Sequence, residues 1–452
     1  MKRFLVLLLS LLLVLCSFGA ASAEEPVTIT FSFWGDGFEK EAVEATLSAF
    51  EEATGINVEL MYTPEDYATK MVAMAASNTL PDCGYCPDAN VVEWAMNGMI
   101  YNLNDMYTQY GLDLEDRMGQ VYVGPDGDIY GTSVGGGASV LFYNPNMFDE
   151  MGVEYPSASE PMQWDDMIAL AKQLTVDENG LHPDDEGFNP EAIVTYGIDL
   201  SQNGTMFLDC YLRSNGGGVV SEDGSVCLLN TPESLEVIQA IQDAICVDHV
   251  SPAPGSSADN MDMSSAFLSG TVAMIVGGTW SFQALSEAAA EDGIRYEAAP
   301  LPYFDEPVTL GIGTPIVIFK DTQHYDECLQ LVEFFTNPEN TIDLIHSGLW
   351  MTSLREWFQN EDIINNQWLV EGVHPDSYVD AAIHYLDEYM QPMHYYTMPY
   401  TDQIDNLYIP ALDSVWLGTS TPEDAIASVY DEVQAICDRW TEEKAAIAAE
   451  AE

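Results

Sequence analysis

The chain reads as an α/β protein built from more than one domain, and three observations predict it. From residue 27 onward, short apolar segments of strand period alternate with segments of helical period, the pattern of strands carrying helices on their faces. A length of 452 residues exceeds what one ordinary core accommodates. Hydrophobic residues make up 47% of the chain, enough for two cores.

The elements follow in order. Residues 27–33 alternate Val, Ile and Phe with Thr and Ser and predict a strand ending at Trp34-Gly35-Asp36. Residues 39–54 place Ala42, Ala45, Leu47 and Phe50 on one helical face and stop at Gly55. Residues 56–62 predict a second strand, and 65–77 a helix with Pro64 near its start and Glu65 in its first turn. A short buried strand is expected within 80–85 and a helix over 90–97, ended by Gly98. This alternation implies a mainly parallel sheet. Residues 129–137 lead through Gly135-Gly136-Gly137 into a strand at 140–143. Helical spacing covers 164–174, 233–246 and 263–268, with Trp164 anchoring the first, while 176–190 reads as an exposed polar loop. Residues 272–276 predict a buried strand running into Gly277-Gly278-Thr279-Trp280, and 311–319 another. Residues 322–335, 338–347 and much of 378–452 are expected to be helical, and no internal repeat appears.

The N-terminus predicts export. Lys2 and Arg3 precede an apolar run over 4–18, and Ala21-Ser22-Ala23 is a small-residue cleavage signal. The run is shorter than the roughly 20 residues that span a bilayer. Residues 1–23 are therefore read as a signal peptide cleaved after Ala23, leaving a protein that acts outside the cytoplasm. The alternative is a lipid on Cys16, since Leu13-Val14-Leu15-Cys16 resembles a lipoprotein box, although Leu15 stands where a small residue is usual. That lipid is the only membrane attachment expected.

Charge narrows the partners. Twelve Lys and Arg face 74 Asp and Glu, a net charge of −62. Such a surface repels phosphate backbones, which excludes nucleic acid, and repels anionic membranes. It suits solubility, with a cationic ligand as the sharper alternative. Chemistry on the ligand finds little support. With so many acids, carboxylate pairs carry no information, and neither an H-E-x-x-H nor a G-x-S-x-G motif is present. Asp177-Glu178-Asn179-Gly180 lacks the acid spacing of a calcium loop and reads as a surface turn. Cys83-Gly84-Tyr85-Cys86 has redox or half-zinc spacing, but no second pair completes a zinc site. Pro81 and Pro87 place it in a loop rather than at a helix start, and structural cysteines are the simpler reading. No cofactor or metal is expected.

Several blocks, in this order, resemble the family 1 extracellular solute-binding proteins, the sugar-type receptors of ABC importers. They are Phe50-Glu51-Glu52-Ala53-Thr54-Gly55-Ile56-Asn57-Val58, Leu80-Pro81-Asp82, Tyr143-Asn144-Pro145 with Met147-Phe148, and Gln163-Trp164-Asp165-Asp166. Later come Ala266-Phe267, Ser269-Gly270, Val272-Ala273-Met274 and Asn337-Pro338-Glu339. Each alone is weak; their joint order is not. The resemblance implies a type II periplasmic-binding-protein-like fold, two hinged α/β lobes with a ligand cleft between them. It places crossings near 135–139, 302–310 and 350–354. The N-lobe would comprise 24–137 plus 309–350, and the C-lobe 138–308 plus 351–452.

Sugar recognition calls for flat rings against C–H faces and polar groups around a hydroxyl rim. Trp34, Trp280, Trp350 and the pair Tyr395 and Tyr396 are the candidate rings. Asp36, Glu65, Asp88 and Asn90 are the candidate polar contacts, with capping and turn roles competing. Trp94, Trp357, Trp368, Trp416 and Trp440 sit in helical patterns and are assigned to packing. The expectation is a monomeric, non-enzymatic receptor that captures a carbohydrate, of oligosaccharide size, by lobe closure and hands it to a membrane permease. A secreted carbohydrate-active enzyme and a polyamine receptor on the same fold are the alternatives.

Overall fold

The computed structural model describes residues 26–118 and 121–451, so the expected signal, its cleavage site and Cys16 lie outside the described residues. The strands, in chain order, are β1 (Thr28–Phe33), β2 (Asn57–Tyr62), β3 (Cys83–Tyr85), β4 (Val121–Val123), β5 (Ile129–Tyr143) and β6 (Val176–Asp177). They continue with β7 (Ile193–Asp199), β8 (Val272–Gly278), β9 (Glu297–Ala299), β10 (Thr309–Ile318) and β11 (Met390–Pro392).

In the first lobe β1 pairs in parallel with β2 and β3. The helix Gly37–Thr54 covers this sheet because its buried face carries Ala42, Val43, Leu47 and Phe50. The Asp36 carboxylate accepts the Glu39 amide at its start, and Gly55 ends it in the left-handed conformation. In the second lobe β7 and β8 pair in parallel, with β6 antiparallel at the edge. The helix Pro232–Cys246 packs there beside the C-terminal helices Thr401–Trp416 and Pro422–Ala427.

The sheets are mixed rather than mainly parallel, and the crossing strands explain why. β5 pairs with β4 and β10 through its first half and with β8 and β9 through its second, so one strand serves both lobes. β10 runs back antiparallel to β5 and reaches β3. A strand that leaves a lobe and one that returns must oppose each other. The segment around Met351 lies beside them, exchanging backbone hydrogen bonds of 2.8 and 2.9 Å with Gly136. Gly136 also lies opposite Gly313 of β10, three residues beyond the expected 302–310 crossing, so β5, β10 and the segment around Met351 meet at one residue. The Thr309 hydroxyl joins two of them, accepting from the Ser139 amide and donating to the Ser139 carbonyl.

Three local expectations are corrected. The second helix begins at Tyr67, not Glu65, because Asp66 takes a left-handed φ of 52° that a helix interior does not admit. Cys83-Gly84-Tyr85 forms strand β3, as the short buried strand expected within 80–85 and against the loop read from Pro81 and Pro87, and Cys83 and Cys86 are buried free thiols. The 338–347 helix contracts to Ile342–His346. Trp94, Trp357, Trp368, Trp416 and Trp440 are all buried.

Candidate functional site

The site is built where parallel strands end. Beyond the carboxyl end of β1, the Trp34 ring is half-buried and meets the Tyr67 and Tyr85 rings edge-on, each at 4.9 Å. The Tyr67 hydroxyl holds this cluster by donating to the Tyr85 carbonyl at 2.7 Å. At the end of β2, the Tyr62 hydroxyl donates to the Gly35 carbonyl and fixes the turn after Trp34. Tyr85 in turn contacts the Trp350 ring at 6.1 Å.

Two glycines of β5 explain how rings reach the crossing. A Cβ at Gly135 would overlap the Trp350 ring, and one at Gly137 would lie 3.1 Å from Trp280. Trp350 and Trp280 each pack against a glycine of β5 that a larger residue would crowd. Trp34, Tyr85 and Trp350 form one aromatic cluster in which Tyr85 and Trp350 are buried and Trp34 keeps partial exposure, while Trp280 stands partly exposed beyond β8.

Acids accompany the rings. Glu39 lies 8% exposed beneath Gly35. Burial, helped by the neighbouring charge of Asp36, pushes its carboxyl up to about 7. The Tyr85 hydroxyl and Trp350 indole lie beside the carboxylate and offset part of this, although the Tyr85 hydroxyl misses hydrogen-bond geometry. On the second lobe, a cavity of 460 Å³ opens at the carboxyl ends of β7 and β8. Asp199, Gln202, Asp259 and Trp280 line it. Burial raises the Asp199 carboxyl to about 6 against one hydrogen bond from the Ser201 amide, with Asp259 adding to the rise. A larger depression of 740 Å³ lies away from the strand ends, beside the helix Trp164–Leu174, and offers neither Trp nor Tyr. Among the described residues no group of three His, Cys, Asp or Glu is placed to hold a metal ion.

The remaining predicted residues scatter. Asp36 is exposed and caps the first helix. Glu65 is exposed in the bend before Tyr67. One Asp88 oxygen accepts the Gly313 amide at 3.2 Å, while the other is buried without a partner and burial raises the carboxyl. Asn90 donates to Asp402 at 3.2 Å, tying the 88–90 turn to the helix Thr401–Trp416. Tyr396 is buried against Tyr122, its hydroxyl bonded to the Gly311 carbonyl, while the Tyr395 side chain lies outside the described residues. Glu39, Asp199, Gln202 and Asp259 are the additions that only the folded structure supplies.

Strand ends facing one another across crossing strands are the arrangement of two-lobe binding proteins. The profile of the bacterial extracellular solute-binding proteins matches residues 35–342. The chain belongs to this family. The solute-binding fold is shared with an ABC substrate-binding protein of Listeria monocytogenes solved with cycloalternan, at TM-score 0.74 and 20% identity over 91% of this chain and 99% of that one. It is shared too with the GacH receptor of Streptomyces glaucescens, solved unliganded and with acarbose, at TM-score 0.73 and 18% identity over 92% of this chain and 100% of that one. The arabinooligosaccharide-binding protein of Halalkalibacterium halodurans is 27% identical over 212 residues, 44% of this chain and 41% of that protein. Among the described residues of this solute-binding protein, no helix is long and apolar enough to cross a membrane.

Proposed function

We propose that this solute-binding protein captures a carbohydrate of more than one ring in the cleft between its lobes and delivers it unchanged to the permease of an ABC importer. The observation that carries the reading is the pair of partly exposed tryptophans at strand ends, Trp34 beyond β1 and Trp280 beyond β8, which offer faces for sugar rings. Carboxylates and amides beside those rings supply acceptors for hydroxyl groups. The oligosaccharides bound by structural relatives agree with it. We place Trp34 and Trp280 in ring contact, with the buried Trp350 supporting Trp34 through Tyr85 and with Glu39, Asp199 and Gln202 on the hydroxyl rim. Asp36, Glu65, Asp88 and Asn90 act as cap, bend and strand or helix ties. Tyr396 supports β10. The lobes follow the expected boundaries, 24–137 plus 309–350 and 138–308 plus 351–452. The protein works as an exported monomer without catalysis, and ligand-driven closure changes the surface shown to the permease.

A thermal-shift screen of monosaccharides, oligosaccharides and polyamines tests this, since a solute bound only by the folded state raises the melting temperature. Oligosaccharides are expected to stabilise most. Stabilisation by polyamines with no sugar response would replace carbohydrate with a cationic ligand.

A further inference from the structure

The second-lobe cavity is chemically one-sided. Its 460 Å³ are lined by the carboxylates of Asp199 and Asp259, while neither Lys nor Arg lines it. Gln202, 2% exposed, adds a side-chain oxygen that is buried with no hydrogen-bond partner. Trp280 closes one wall. The hydrogen bonds within the cavity satisfy these acids only in part: Asp199 receives the Ser201 amide and Asp259 the Gly255 amide. Two negative charges with an orphaned acceptor and an aromatic face are short of a donor that also carries positive charge. A neutral hydroxyl would fill the hydrogen bonds but leave the charges uncancelled.

We infer that this cavity recognises a protonated amino group on the bound sugar, with Asp199 and Asp259 as its counter-charges, Gln202 as a further acceptor and Trp280 beneath the cation. The inference rests on the carbohydrate reading above and names the class of sugar: an amino-oligosaccharide with a free amine. A primary ammonium has three donors, one for each of the three side chains. An indole face attracts a cation brought near it. Burial leaves the Asp199 carboxyl holding its proton into the mildly acidic range, and a cation beside it would favour the charged form. Asp259 and Tyr211 are the titratable groups that act on Asp199, and neither supplies positive charge at neutral pH.

The test is calorimetric titration of the whole protein at low salt with the β-1,4 trimer of glucosamine, with cellotriose, which differs from it by hydroxyls in place of amines, and with spermidine. The glucosamine trimer is expected to bind at least about tenfold more tightly than cellotriose. Raising the salt should weaken the amine ligand and leave cellotriose unchanged. In Asp199→Asn and Asp259→Asn the gap between the two trimers should close to within about twofold. Melting curves confirm that each variant is folded, and the salt series on the unmutated protein stands if either is not. Equal or tighter binding of cellotriose overturns the amine assignment while leaving the carbohydrate reading intact. Binding of spermidine with neither trimer overturns both, and binding of none of the three overturns the assignment.

Discussion

Trp280 is the residue on which the cleft turns, because it packs against Gly137 of the crossing strand β5 and lines the second-lobe cavity at once. Trp280→Ala is expected to weaken oligosaccharide affinity by more than about tenfold, ~1.4 kcal/mol, with the fold intact by circular dichroism. Glu39 makes a different prediction. Its carboxyl stands at about 7 in the folded protein and near 4.5 when unfolded. The folded state therefore holds the extra proton between those values, and stability falls as pH rises through that window, by at most roughly 3 kcal/mol from this group. Asp199 acts in the same direction over a narrower range. Denaturation midpoints should be higher at pH 5 than at pH 7.5, and Glu39→Gln should shrink that difference. An unchanged difference would mean that Glu39 is ionised throughout. Trp34 and Trp280 could be singled out in the sequence because one follows a strand end and the other a glycine pair, whereas Trp350 and Tyr396, picked from loops, are buried in the fold. Glu39 could not be singled out, since an acid in the first helical turn normally faces water, and only the fold of Gly35 over it buries the carboxylate. Asp199 and Gln202 sat in an ordinary polar turn until β7 and β8 came together.

The crossing strands set the element scale. The Thr309 hydroxyl satisfies both backbone groups of Ser139, where β5 passes β10. Thr309→Val keeps the shape and removes those bonds, leaving a buried amide and carbonyl unpaired. It should cost roughly 1–3 kcal/mol in urea denaturation, and a cost near zero would show the two strands to be held elsewhere. Gly135→Ala drives a methyl into the Trp350 ring. Overpacking of this kind costs about 1–3 kcal/mol, and here it should lower ligand affinity as well, readable in one titration. The alternation of strand and helix announced the parallel pair β1–β2 and the strand β8, but not its parallel partner β7, whose residues 193–199 were not read as a strand. It could not announce the antiparallel ones, since strand direction across the lobes depends on where the chain returns, which no local period encodes. The start of the helix at Tyr67 was misplaced for a similar reason: Pro64 and Glu65 are ordinary helix openers, and the left-handed Asp66 overrides them.

For the whole molecule, membership of the extracellular solute-binding family and the mixed two-lobe fold fit one cycle: open, bind, close, release. The charge of −62 keeps such a protein soluble and turns it away from polyanions, so its attraction to ligands has to be local, inside the cleft. Closure predicts a smaller radius of gyration in solution scattering when oligosaccharide is added, and a constant radius would indicate binding without lobe motion. The central claim is that the cleft holds a sugar without altering it. Equilibrium dialysis against labelled oligosaccharide, followed by mass analysis of what is recovered, tests it directly. One equivalent retained and returned intact is the predicted result; shortened products, or no retention of any carbohydrate, would contradict it.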